Sequence, residues 1–130
     1  MTYLLDTQVF LWMQASPDRM RPDVRQIIES PDSRLYLSAA SAWEIAIKYA
    51  LGKLPLPAPP EEYVPRRMSS SAVEALPVEH VHALRAGALE ARHRDPFDRL
   101  LIAQAQLERM PIITADRVFA QYGVETIDAR

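Results

Sequence analysis

Five short apolar runs, separated by stretches of helical periodicity, constrain this chain more than any other feature. "YLLD" (3–6), "RLYLS" (34–38), "VEALPV" (73–78), "PIIT" (111–114) and "VETID" (124–128) read as strands. Helices are expected over 7–13, 22–29, 41–51, 60–70, 79–91 and 96–109, with a short one at 116–121. Pro65 interrupts the fourth of these. Strands kept apart by helices cannot pair through hairpins, so the pattern implies an α/β fold with a mainly parallel sheet covered on both faces. A length of 130 residues suits one domain, 1–130. Gly52 fits a helix C-terminus, and "LPLPAPP" (54–60) is a proline-stiffened connection rather than a domain boundary.

In open α/β sheets, sites form outside the carboxyl ends of the strands, where loops enter the helices. The polar residues at those ends are therefore the ones to weigh. Asp6 ends the first strand, and Glu44 lies early in the helix after the second. Asp98 opens the helix before "PIIT", and Asp116 follows that strand in "ITAD". Each also has a purely structural reading. Asp6 and Asp116 stand where helix caps stand, and Ser41 with Glu44 spells a capping box. Glu44 is four residues before Lys48, the spacing of a surface ion pair. Asp95, before Pro96, is a favoured N-cap.

Taken together the acids are harder to explain as caps. On a helical wheel Asp98 lies between Ile102 and Ala105, so its charge is expected to be half desolvated. Four carboxylates at one sheet edge would repel one another and drive pKa values up. A divalent cation removes that penalty. Oxygen donors with no cysteine in the chain, and no histidine beside any of them, suit Mg²⁺ or Mn²⁺ rather than Zn²⁺. Hard cations on a few carboxylates are the usual apparatus of phosphoryl chemistry.

Composition narrows the alternatives. The absence of cysteine excludes disulfide scaffolds, Cys-ligated zinc and thiol catalysis. With 3 glycines and no G-x-x-x-x-G-K-[ST] loop, nucleotide cradling is not indicated. His80 and His82 are two apart on an expected helix and so point apart, which disfavours a histidine acid/base pair. The apolar opening is broken by Asp6 and preceded by no basic residue, so neither a signal peptide nor a membrane span is expected, and the cytoplasm is the default location. A net charge of −2 does not suit general duplex binding. Basic residues near the acids, namely Lys48, Arg92, Arg94 and Arg99, are candidates for RNA phosphates or for a solvated charged face. Trp12 and Trp43 could stack on an unpaired base, although packing is the commoner role of such residues.

"LLDTQVFLW", "SAASAWEIAIKYALGKL", "HRDPFDRLLIAQAQ" and "IITAD" together resemble the PIN-domain ribonucleases, and more closely the VapC-type toxins of bacterial toxin–antitoxin pairs. The matching segments run from residue 4 to about residue 119. The resemblance implies a three-layer α/β/α sandwich around a sheet of about five strands, and Mg²⁺-dependent endonucleolytic cleavage of RNA. It matches Asp6, Glu44, Asp98 and Asp116 to the family's metal-binding acids and Thr114 to the hydroxyl that supports them. Asp95 is kept as a cap. The same resemblance implies a cognate VapB-type antitoxin as partner, and a homodimer. A non-catalytic RNA-binding or regulatory module on the same fold is the competing reading. A phosphatase with an aspartyl nucleophile is a third, weakened because position 8 is Gln where such enzymes commonly carry a second acid.

Overall fold

The computed structural model describes residues 1–90 and 94–130. Its strands are β1 (Thr2–Leu5), β2 (Arg34–Ser38), β3 (Val73–Leu76), β4 (Ile112–Thr114) and β5 (Thr126–Asp128). Its helices are α1 (Thr7–Ala15), α2 (Pro22–Glu29), α3 (Ala39–Ala50), α4 (Pro60–Ser70), α5 (His80–Ala88) and α6 (Pro96–Glu108), with 3₁₀ turns at Pro17–Arg19 and Arg117–Tyr122.

All five strands are parallel, in the order β3-β2-β1-β4-β5. The chain thus lays β2 and β3 on one side of β1, and β4 and β5 on the other. The winding reverses between β1 and β4, and at such a reversal the flanking loops part and leave a crevice at the carboxyl edge.

Side chains alternate across the pleat, so one strand feeds both faces. Tyr3, Leu5, Leu35, Leu37 and Ile113 face one layer, packed with Val9 and Phe10 of α1, Ile45 of α3, and Tyr63 and Val64 of α4. Leu4 and Ile112 face the other, packed with Leu101, Ile102 and Ala105 of α6 and with Phe119. Helices therefore cover both faces, and the architecture is the expected three-layer α/β/α sandwich.

The differences from expectation are local. Helix α3 begins at Ala39, two residues early, because the Ser38 hydroxyl caps it by accepting from the Ala40 amide at 3.0 Å. Helix α4 runs through Pro65, as burial of Tyr63 and Val64 outweighs one lost backbone hydrogen bond. Helix α5 ends at Ala88, short of the expected 91; residue 91 itself lies outside the described residues. The last expected helix is a 3₁₀ turn, closed by Gly123 at φ +73°. Among the described residues, no helix is long and apolar enough to cross a membrane.

The fully buried Ile102 sits in the α6 layer, whereas Leu84 on α5 is 75% exposed. Ile102→Ala should lower unfolding free energy by about 2–5 kcal/mol, and Leu84→Ala by less than about 0.5 kcal/mol. Urea unfolding followed by circular dichroism measures both.

Candidate active site at the carboxyl edge of the sheet

The Asp6 amide donates to the Ile113 carbonyl at 3.0 Å, which sets Asp6 beside Thr114 at the point where the winding reverses. The Thr114 hydroxyl then donates to Asp6 Oδ2 at 2.7 Å and accepts from the Asp116 amide at 3.0 Å. One buried hydroxyl, 2% exposed, thus orients the first acid and fixes the turn carrying the fourth. On the other side of α1, the Thr7 hydroxyl donates to Ser41 Oγ at 2.8 Å and draws the first turn of α3 against the start of α1. Ser41 is therefore a buried tie within α3 and not the N-cap of a capping box. Glu44 follows three residues later, 6% exposed.

Asp6 precedes α1, yet its side chain makes no capping bond to the helix. Its carboxyl is pushed up from 3.8 to about 6, chiefly by burial, with the charges of Glu44 and Asp116 adding to the rise. The Thr114 hydroxyl and the Thr7 amide oppose the shift. A carboxylate held 8% exposed between two others, and excused from capping, is poorly explained by stability alone.

The remaining acids divide their work. Asp116 does cap, accepting from the Val118 amide at 3.0 Å. Asp95 caps α6 as expected, accepting from the Phe97 and Asp98 amides at 2.9 and 3.1 Å. Asp98 is half-buried in the first turn of α6. The edge-on contact of Trp43 with Phe97, centroids 5.4 Å apart, braces that turn against α3. Trp43 is otherwise exposed, and Trp12 is buried.

Lys48 is the cation within the site. Its ammonium meets Glu44 Oε2 at 2.9 Å, the i,i+4 pair that the spacing implied, though on a buried rather than a surface carboxylate. The Lys48 pKa is raised, first by that bond to Glu44 and further by the charges of Glu44, Asp95 and Asp98, while partial burial opposes the rise. The Asp6 carboxyl therefore senses the charges of Glu44 and Asp116, and the Lys48 ammonium those of Glu44, Asp95 and Asp98. Among the described residues no three acids or histidines stand close enough together to hold an ion. The expected gathering into one ligating cluster is not met among the described residues, and Glu44 is instead paired with Lys48. The donor set still fits a hard divalent cation. Every donor is oxygen, and Asp6 is a desolvated carboxyl whose ionised form an added cation would favour.

Two grooves meet at this edge. One, of about 190 Å³, is lined by Asp6, Gln8, Glu44, Lys48 and Lys53. The other, broader at about 640 Å³, runs from Asp6 and Gln8 past Asp116 toward Trp12. A more apolar cavity of about 440 Å³ lies near the amino ends of β2 and β3, between Arg25, Leu35 and Ala72, away from the acids.

The other expected basic residues fare unevenly. The Arg99 guanidinium donates to the carbonyls of Ala86 and Leu89, each at 2.8 Å, and of Glu90 at 3.0 Å. It thereby ties the end of α5 to α6, a structural role that competes with any contact to phosphate. Arg94 is exposed, and Arg92 lies outside the described residues. His82 is buried; its Nδ1 accepts from the Glu79 amide at 3.0 Å and its Nε2 meets Glu108 Oε2 at 3.0 Å. His80 is exposed. The two imidazoles do not converge.

The model of the family described as "PIN domain" matches residues 3–125. The chain belongs to the PIN-domain family. Within it, a 60-residue stretch is 50% identical to "Ribonuclease VapC16" of Mycobacterium tuberculosis (strain ATCC 25618 / H37Rv). That stretch spans 46% of this chain and 43% of the relative, so less than half of either. The PIN fold recurs in the crystal structure of VapBC2 from Rickettsia felis bound to a DNA fragment from their promoter, at a TM-score of 0.68, 14% identity and 100% of both chains. It recurs in VapBC-1 from nontypeable Haemophilus influenzae, at a TM-score of 0.67, 22% identity and 98% of both chains. At those identities the likeness is one of fold.

The buried Asp6 carboxyl makes stability depend on pH in a specific sense. Between about 3.8 and 6 the folded protein holds a proton that the unfolded chain releases. Stability is therefore full below that window and falls as pH rises through it, by about 3 kcal/mol from this one group. In chelator-treated protein, Asp6→Asn should be more stable than wild type at pH 7.5, with the advantage vanishing toward pH 4. Paired urea titrations at the two pH values read the difference, and an Asp6→Asn protein less stable at pH 7.5 would contradict this placement.

Proposed function

We propose that this chain is a metal-dependent endoribonuclease of the VapC type, acting as the toxin of a toxin–antitoxin pair. The observation that carries the reading is Asp6: a carboxylate buried at the reversal of the sheet, oriented by Thr114, in a chain whose match to the PIN family covers residues 3–125. Local identity to a protein named a ribonuclease supports the choice of substrate class. Structural relatives named VapBC support a VapB-type antitoxin as partner, and a homodimer is the assembly that the family resemblance implies.

In this reading Asp6, Glu44, Asp98 and Asp116 are the residues that would hold Mg²⁺ or Mn²⁺, with Thr114 supporting Asp6. Bound there, a divalent cation would supply charge neutralisation and a more acidic water for attack on a phosphodiester. The chain's own contribution is positional. Thr114 donates to Asp6 Oδ2 and so fixes the orientation of a carboxyl that lines both grooves. The Asp95 cap and the Trp43–Phe97 contact hold the first turn of α6, and with it Asp98, at the rim. Lys48 balances the charge of Glu44 through their 2.9 Å ion pair.

A non-catalytic RNA-binding module on the same fold is the second reading. The Lys48–Glu44 pair favours it, because that pair balances one acid without any metal.

Three measurements separate the two. Asp6→Asn and Asp98→Asn should each lower RNA cleavage at least about a hundredfold while circular dichroism shows an unchanged fold. Chelation should stop wild-type cleavage, and Mg²⁺ or Mn²⁺ should restore it, with ends mapped by sequencing. Cleavage at wild-type rate by Asp98→Asn removes that residue from the site. No heat of binding at millimolar Mg²⁺ or Mn²⁺ favours the non-catalytic module.

A further inference from the structure

We propose that Arg19, Arg117 and Arg130 hold a single RNA strand in the broader groove, and that Arg130 lying over Trp12 supplies its stacking surface. The proposal rests on the ribonuclease reading and names the side of the acidic pocket on which the substrate lies. The arginines come from three separate places in the chain: the end of the 3₁₀ turn Pro17–Arg19, the first residue of the turn after β4, and the residues beyond β5. All three are exposed and line one groove of about 640 Å³. Asp6 and Gln8 line this groove and the smaller one alike, so a strand lying along the arginines runs directly onto the buried carboxyl.

Electrostatics requires some such device. The chain carries a net charge of −2 and the pocket is acidic, so an incoming polyanion is repelled unless cations stand at the mouth. Lys48 is engaged by Glu44 and Arg99 by three carbonyls. None of the ion pairs among the described residues engages Arg19, Arg117 or Arg130.

Local structure also holds two of them in place. The Asp116 cap sets the start of the turn that carries Arg117. The Arg130 amide donates to Asp128 Oδ1 at 3.1 Å, and its guanidinium carbon lies 5.5 Å from the centroid of the Trp12 ring. A guanidinium held over an indole can keep edge donors for phosphate and offer a surface to an unpaired base. Planar forks matched to phosphate, beside a stacking surface, favour single-stranded RNA over an acidic polypeptide as the occupant.

The test uses the full chain in the Asp6→Asn background, so that RNA binds without being cut. Anisotropy of a fluorescein-labelled, mixed-sequence single-stranded 12-mer is followed across a salt series. Arg19→Ala/Arg117→Ala/Arg130→Ala should weaken binding about tenfold or more and lower the log–log salt slope by about 2, at roughly 0.7 per phosphate contact. A control triple of equal charge, Arg21→Ala/Arg66→Ala/Arg85→Ala, should change Kd by less than about threefold. Because Arg130 covers Trp12, the double Arg19→Ala/Arg117→Ala keeps that packing and should lose about 1.4 of the slope. If both variants bind RNA as the control does, the proposal is overturned, and loss of retention on immobilised polyglutamate would then assign the arginines to a protein partner. Wild-type cleavage in Mg²⁺ is scored separately. Cleavage with arginine-independent binding sinks only the groove, whereas arginine-dependent binding without cleavage keeps the groove and sinks the catalytic reading.

Discussion

The hydrogen bond from Thr114 to Asp6 is the constraint on which the rest of the site depends. It joins residues 108 apart in sequence, across the two strands between which the winding of the sheet reverses. A charged group is removed from water there, and the protein compensates it only in part, with one hydroxyl and one amide against two neighbouring carboxylates. Sheets of this kind open a crevice at that reversal whatever their sequence. This sequence places an ionisable group in the crevice instead of filling it with an apolar side chain.

Around that bond the remaining contacts act mainly on geometry. Thr7 and Ser41 tie α1 to α3 and bring Glu44 into range. Asp95, Trp43 and Phe97 hold the start of α6. Arg99 ties α6 to the carbonyls at the end of α5, so the helix that carries Asp98 is anchored throughout its first turn. Lys48 is the exception, because its contribution is charge. It balances the charge of Glu44 without a metal.

The fold was legible in the sequence because period-two runs alternating with helical ones admit few arrangements other than a parallel, two-sided sheet. Asp95 as a cap and Asp6 as a strand-end acid were legible for a similar reason: each stands at the end of an element whose boundary the sequence marks, whereas Thr114 was singled out only by the family resemblance. The capping role given to Ser41 failed because Ser38, three residues earlier, offered the same hydroxyl in a better place. The bonds of Arg99 to the end of α5 were not legible, because its partners are backbone carbonyls, which carry no sequence signal. The three arginines around Trp12 were missed for a different reason. They converge only through tertiary structure, and of the three only Arg117, next to Asp116, had a neighbour that could have drawn attention to it.

The central place of β1 also has a consequence for biosynthesis. Its pairing with β2 becomes possible once residue 38 is made, but its other edge stays open until β4 emerges at residue 112. At ordinary elongation rates roughly 5–20 s separate translation of Asp6 from that of Thr114. A ribosome-bound fragment therefore carries Asp6 without the hydroxyl that orients it, so this bond can form only with the last fifth of the polypeptide. Under the proposed reading as a nuclease, made among the messages and ribosomes that produce it, the order of the strands would itself delay the hazard.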